Sequence, residues 1–252
     1  PSADRSMTHS IAAHLYKIQN QSGDRFFTLF DSWLALAVAA LSSDADKEER
    51  YMAVMRRYGP REPGKTHPGD HFSHALEEFM LACQTQSARD GRISDILGTI
   101  YEEESLSQSY SGQFFTPEPL SRMMAAMMIE PTEEAISIAD PACGSGRFFI
   151  AAQPLAPNAT FYGTDTDLTC VHMCALNMLV RNATAAIVHG NTLTLEVHGG
   201  YIVRRSPFGA SMAPLDPDQA RAVLVKTAAA SAAQAAAPTS APALPAPSRA
   251  AA

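Results

Sequence analysis

Asp140-Pro141-Ala142-Cys143-Gly144-Ser145-Gly146-Arg147-Phe148 is the stretch whose reading decides the fold. A short apolar run, Ala135-Ile136-Ser137-Ile138-Ala139, precedes it, and a helical pattern over 147–152 follows. The stretch is therefore a turn from strand to helix. Glycines 144 and 146 let the backbone bend sharply and approach a ligand closely. The helix behind such a turn offers free amide groups to whatever sits there. In open parallel sheets, ligands bind beyond the carboxyl ends of the strands. A second strand, Thr160-Phe161-Tyr162-Gly163-Thr164-Asp165, ends in an acid 25 residues after Asp140. An acid at that place can accept hydrogen bonds from both hydroxyls of a ribose. A dinucleotide fingerprint wants a third glycine where Phe149 stands, and the lysine of a phosphate-binding loop is absent. The loop suits a small nucleoside-containing cofactor without phosphates.

Working outward, Ala185–Gly190 reads as a third strand and Tyr201-Ile202-Val203 as a weaker fourth, with helical patterns over 147–152 and 168–181 between them. Strands alternating with helices predict right-handed crossovers and a parallel sheet; the strand order expected for the fold as a whole is 3-2-1-4. Upstream, 9–129 reads as helical. Phe26, Phe27, Phe30, Trp33, Leu34, Ala37 and Leu41 recur at three- and four-residue spacing and form one apolar helix face. Further helices are expected over 46–58, 70–86 and 92–106, with a Gly/Pro-bearing loop over 61–69. Residues 227–252 hold fourteen Ala, four Pro and one charge, Arg249. That composition predicts a disordered tail, extended beyond Pro238. About 18 residues separate Phe208 from it, room for one helix over about 216–236. The expected division is 9–110 helical, 111–226 the cofactor-binding unit and 227–252 the tail.

The chain has 252 residues, 46% hydrophobic and 18% charged, with a net charge of −7. It has material for a core, and its acidity excludes a basic nucleic-acid clamp as a whole-chain description. The longest apolar run, Trp33 to Leu41, has nine residues, against roughly 20 for a membrane span. No charged-then-apolar leader opens the sequence. Four cysteines without framework spacing suggest a reducing, cytoplasmic setting.

Four motifs occur in order: Gly112-Gln113-Phe114-Phe115-Thr116-Pro117, the Asp140–Phe148 loop, Gly163-Thr164-Asp165-Thr166-Asp167, and Gly190-Asn191-Thr192-Leu193. Together they resemble adenine-N6 DNA methyltransferases, most of all the modification subunits of type I restriction-modification systems. The likeness covers about 92–209. It implies an α/β fold: a helical N-terminal domain, then a truncated class I S-adenosylmethionine-dependent methyltransferase (Rossmann-like) parallel sheet. It implies S-adenosylmethionine as cofactor. Phe115, Thr116 and Pro117 would line its methionine end. The loop of Asp140, Pro141, Ala142, Cys143, Gly144 and Gly146 would lie beneath it. Asp165 would hold the ribose, and Asn191 would lie near the adenine ring. It also implies DNA as a partner, and a helical domain that meets a protein partner, a subunit or a second copy.

The same likeness assigns the fourth strand's end to catalysis, where the family carries Asn-Pro-Pro-Phe or Asn-Pro-Pro-Tyr and the target base is flipped out of the duplex. Here Arg205-Ser206-Pro207-Phe208 stands in that place. Pro207 and Phe208 survive as a remnant. Arg205 and Ser206 replace the Asn and the first Pro. An arginine has five donors and no acceptor, so it cannot receive the target amino hydrogen bonds. Three functions stay open: a methyltransferase aided from elsewhere, a catalytically silent binder of cofactor or partner, and a scaffold without ligand.

Other candidates have plainer readings. Cys170 and Cys174 share a helix face from which His172 points away, so no metal is expected there. His67, His71 and His74 come closer to metal-ligand spacing, but with no acid or cysteine cluster beyond Asp70 they read as a solvated loop and helix start, with a metal as the lesser alternative. Met123, Met124, Met127 and Met128 with Ile129 read as core. Arg204-Arg205 reads equally as a phosphate contact or a solvated strand end.

Overall fold

The computed structural model describes residues 3–107 and 115–236. The expected boundary at 110/111, Gly112-Gln113-Phe114 and the tail beyond Ala236 lie outside them.

Five helices lead the chain: α1 (Ala3–Ser22), α2 (Phe26–Leu41), α3 (Lys47–Met55), α4 (Pro68–Asp90) and α5 (Ile96–Ser107). The apolar face of α2 is the reason they assemble. Phe26, Phe30, Trp33 and Leu34 are at most 1% exposed, and the Trp33 ring meets Phe79 of α4 edge-on at 6.2 Å. Burying each such side chain contributes about 1.5–3 kcal/mol. His67 caps α4: its Nδ1 accepts from the Gly69 amide, and Asp70 returns a bond to the His67 amide. α6 (Glu118–Met128) follows and buries only Ser121 and Ala125. Met123, Met124, Met127 and Met128 are exposed, contrary to the core expected for them. Their face turns away from α7 (Arg147–Ala152), against which α6 packs.

The sheet is ordered β1 (Ser137–Asp140), β2 (Thr160–Asp165), β3 (Thr184–Asn191), β4 (Glu196–Arg204), β5 (Ser211–Pro214). β1, β2 and β3 are parallel, as the alternation predicts. β4 departs from expectation. It folds back antiparallel on β3 rather than crossing over to lie beside β1. The reason is length: 192–195 alone connect the two strands, whereas a parallel return needs a dozen residues or more. β5 pairs antiparallel with β4, so the fourth strand is not an edge. The Ser43 amide in turn bonds the Met212 carbonyl on β5, tying the end of α2 to the sheet.

The strand period sorts the two faces. Ala185 and Ile187 join the large core with α8 (Leu168–Val180), while Ala186 and Val188 meet Ala220, Val223 and Leu224 of α9 (Pro217–Ala236). The large core runs without a break from Ile11 and Phe30 through Phe149 to Met212. The helical zone and the sheet thus share one interior. α9 covers a sheet face. Thr227 is fully buried, and its hydroxyl pairs with Thr164 on β2 at 2.8 Å. Alanine's high helix propensity favours this Ala-rich run, and the helix expected over about 216–236 is present as Pro217–Ala236. No described helix is long and apolar enough to cross a membrane.

Candidate functional site

The glycine loop leaves the carboxyl end of β1 and is held mainly by its own amides. The Ala142 amide donates to Asp140 Oδ1, Cys143 to the Thr164 carbonyl, Gly144 to Asp165 Oδ2 at 2.8 Å, and Gly146 to the Cys143 carbonyl. Gly144 and Gly146 adopt φ +53° and +90°, in the left-handed region. A Cβ at Gly144 would stand 3.0 Å from the Phe115 ring, and one at Gly146 would stand 2.8 Å from Cys174 Sγ. With four amides engaged internally, the loop is poorly equipped to bind a phosphate.

Beside it lies a cavity of about 380 Å³, walled by Phe115, Thr116, Asp140, Ala142, Cys143, Gly144, Asp165 and Thr166, among others. Seven of these are residues singled out from the sequence. Asp165 also accepts from the Asp167 amide through Oδ1. Each oxygen of a carboxylate has capacity for a second donor, so both remain able to receive a ribose hydroxyl. Burial raises the pKa of Asp165, opposed by the amides of Asp167 and Gly144. Burial likewise raises that of Asp140, and the Asp165 charge adds to it. Two carboxyl groups facing one hollow suit a ligand carrying positive charge.

The remaining assigned residues surround this cavity at varying distance. Pro117 caps α6 and is not part of the wall. The Pro141 carbonyl accepts from Thr192 Oγ1, linking the loop to the β3–β4 turn. Asn191 ends β3 at the same end of the sheet. Its Oδ1 accepts the Leu193 and Thr194 amides.

Sequence reasoning missed the support behind the loop. Arg147 Nε bonds Asp95 at 2.8 Å, and its two terminal nitrogens pair with the two oxygens of Glu102 at 3.0 and 2.7 Å. Asp95 also takes Ser145 Oγ, Asn177 Nδ2 and the Gly98 amide. Glu102 accepts the Phe115 amide as well. Burial lowers the Arg147 pKa, but Glu102 and Asp95 together outweigh it and raise the net value. The network fixes α5, Phe115 and the loop to one another. Its sequence signal was Asp95 and Glu102, seven residues and two helical turns apart on one face.

The stretch expected as a catalytic remnant, Arg205 to Phe208, lies at the opposite end of the strands from the cavity. Because β4 is antiparallel, its end returns to where β2 and β3 begin. Ser206 exchanges two hydrogen bonds with Asn182, just before β3, and Arg205 bonds the Pro157 carbonyl and Asn158, just before β2. Pro207 and Phe208 are exposed, Phe208 fully. The length of β2, about 16 Å at ~3.3 Å per residue, separates them from Asp165. Arg205 is held by backbone and Asn158 rather than free at a strand end.

The cysteine and histidine groups sort clearly. His172 Nε2 pairs with the Tyr201 hydroxyl, and burial lowers its pKa to about 4. Cys174 is the hydrogen-bond partner of Cys143, whose thiol that bond and burial push well up. His67 serves α4 as a cap, apart from His71 and His74.

Comparisons with known proteins give the family. The chain is 24% identical over 181 residues to the type I restriction enzyme MjaIX methylase subunit of Methanocaldococcus jannaschii, covering 65% of this chain and 31% of that one. It is 33% identical over 99 residues to the HindI methylase subunit of Haemophilus influenzae, covering 34% and 22%. It is 30% identical over 116 residues to the type II methyltransferase M.MamI of Microbacterium ammoniaphilum, covering 36% and 32%. These matches span a third or less of each relative. A crystal structure of a type I restriction-modification methyltransferase subunit from Streptococcus thermophilus overlays 75% of this chain and 59% of its own, at 13% identity and a TM-score of 0.36. The N-6 DNA methylase family model matches residues 92–235, more than half of the sequence. The chain belongs to the N-6 DNA methylase family.

Proposed function

We propose that this chain binds S-adenosylmethionine at the glycine-loop cavity and does not itself complete methyl transfer to adenine. The observation that carries the reading is Asp165, held by the Gly144 and Asp167 amides at the cavity wall with acceptor capacity left for a ribose. The donor set fits the cofactor. Asp140 and Asp165 match its cationic character, and the loop's engaged amides match its lack of phosphates. When bound, S-adenosylmethionine supplies an electrophilic methyl group. This chain's residues do the rest. Asp165 orients the ribose. Phe115 and Thr116 wall the cavity, and Arg147 keeps Phe115 over Gly144 through Glu102. Asn191 offers its amide to the adenine edge.

The catalytic half is the part in question. A target amine needs an acceptor beside the methyl group. Arg205 has none, and it lies at the far end of the strands. A partner, either a second subunit or a second copy, is the reading's source for the missing acceptor and for the DNA contacts of a full methyltransferase. The compartment we infer is cytoplasmic, since the four cysteines are free thiols.

The test uses the full chain with S-adenosylmethionine labelled in its methyl group and DNA of varied sequence. The expected result is stoichiometric retention of label on the protein by equilibrium dialysis and no label in adenine. Labelled N6-methyladenine made by the lone chain, and lost in Phe208→Ala, would overturn the reading in favour of an enzyme complete in itself.

A further inference from the structure

Away from the glycine loop, α1 and α4 bring three histidines together. His71 and His74 lie three residues apart on α4, and His14 faces them from α1. One ring nitrogen from each lies within 4.8 Å of those of the other two. His14 packs its ring on both partners, at 6.0 Å from His71 and 5.5 Å from His74. Nδ1 of His14 and Nδ1 of His71 are buried and have no hydrogen-bond partner. Buried polar atoms are normally paired, so two orphaned imidazole nitrogens within one histidine cluster ask for a ligand. The histidines line a hollow of about 560 Å³ together with Lys17, Glu77 and Glu78.

We propose that His14, His71 and His74 form a binding site for a divalent transition-metal ion of the zinc class. Three imidazoles with an open fourth position is a known zinc arrangement, and imidazole suits zinc, copper and nickel far better than magnesium or calcium. Zinc–nitrogen bonds of about 2.1 Å draw tetrahedral ligands to about 3.4 Å apart. Ligation would draw the three nitrogens closer than the 4.8 Å within which they now lie. Glu78, one turn beyond His74, is placed to balance charge at the fourth position.

The surroundings favour the metal-binding form of the ligands. Burial lowers the pKa of His14, and Lys17 and the other two histidines lower it further against Glu78. Burial, Lys17 and His74 likewise lower that of His71 against Asp70. Neutral imidazole is the form that ligates. The site joins the first helix to the longest one, so the ion would act as a clip between α1 and α4.

The experiment is titration of Zn²⁺ into chelator-treated full chain by calorimetry, repeated with Co²⁺ and its visible spectrum. One equivalent is expected, with the cobalt absorption of a low-coordinate nitrogen site and an affinity that falls on acidification as protons compete for the imidazoles. His74→Ala removes an exposed side chain and leaves the fold intact, and His14→Gln preserves bulk. Each is expected to weaken binding at least tenfold. Absence of saturable binding would overturn the site. So would affinity unchanged in His14→Gln and His74→Ala, which would place the ion elsewhere, for instance on the surface pair His189 and His198 at 4.8 Å.

Discussion

The two ends of the parallel strands hold stretches singled out from the sequence, and they are built very differently. At the carboxyl end the glycine loop, Asp165 and Phe115 converge on one cavity and are buttressed by the Asp95–Arg147–Glu102 network. At the amino end Arg205-Ser206-Pro207-Phe208 forms a surface turn, tied by four hydrogen bonds to Asn182, Pro157 and Asn158, and its aromatic ring lies in solvent. Motif order along a chain therefore does not guarantee a shared site. What decides is the direction of the strand between the motifs, and here the short 192–195 turn reverses it.

The largest expected difference between the ends is in stability. Arg147→Met strands Asp95 and Glu102 beside an apolar side chain. Removing one partner of a buried ion pair costs about 3–5 kcal/mol. Arg205→Met, at the exposed end, should stay within about 0.5 kcal/mol of the parent. Urea unfolding of both variants measures the contrast, and equal losses would break it.

Between the two ends, His172 and Tyr201 join α8 to β4. The folded pKa of His172, about 4, lies below its ordinary 6.5. The unfolded chain therefore binds more protons in that window. Stability from this group is complete above pH 6.5 and is lost as pH falls to 4, by about 3 kcal/mol. His172→Gln should flatten that part of the parent's pH–stability curve. A parallel curve would show that the imidazole is not the titrating group.

A smaller contrast comes from two glycines with positive φ. Gly146, in the loop, has Cys174 Sγ 2.8 Å from where a Cβ would stand. Gly209, after Phe208, has open space. Gly209→Ala should cost about 1 kcal/mol from backbone strain alone, and Gly146→Ala about 2–3 kcal/mol because Cys174 must also move. Thermal denaturation ranks them.

Much of the cavity end was legible because it is local. Asp140 to Phe148 and Asp165 sit at strand ends that a period-two pattern and a glycine pair already mark. The α2 face was legible for the same reason, since one repeating face needs one interior. The direction of β4 was also within reach. The nine residues from Thr192 to Gly200 are too few for a crossover, but the family's motif order suggested one. The methionines of α6 were misread because methionine is common both in cores and on exposed faces. The spacing of Asp95 and Glu102 marks one helix face, but that Arg147 meets it, and that His14 meets His71 and His74, depends on helix packing, which periodicity does not encode.

The central claim is that the carboxyl end alone is a working cofactor site. Calorimetric titration of S-adenosylmethionine into the parent, Asp165→Ala and Phe208→Ala tests it most directly. The account predicts saturable one-to-one binding by the parent, unchanged in Phe208→Ala and weakened at least a hundredfold in Asp165→Ala. Binding that survives Asp165→Ala, or no binding by the parent, would contradict it.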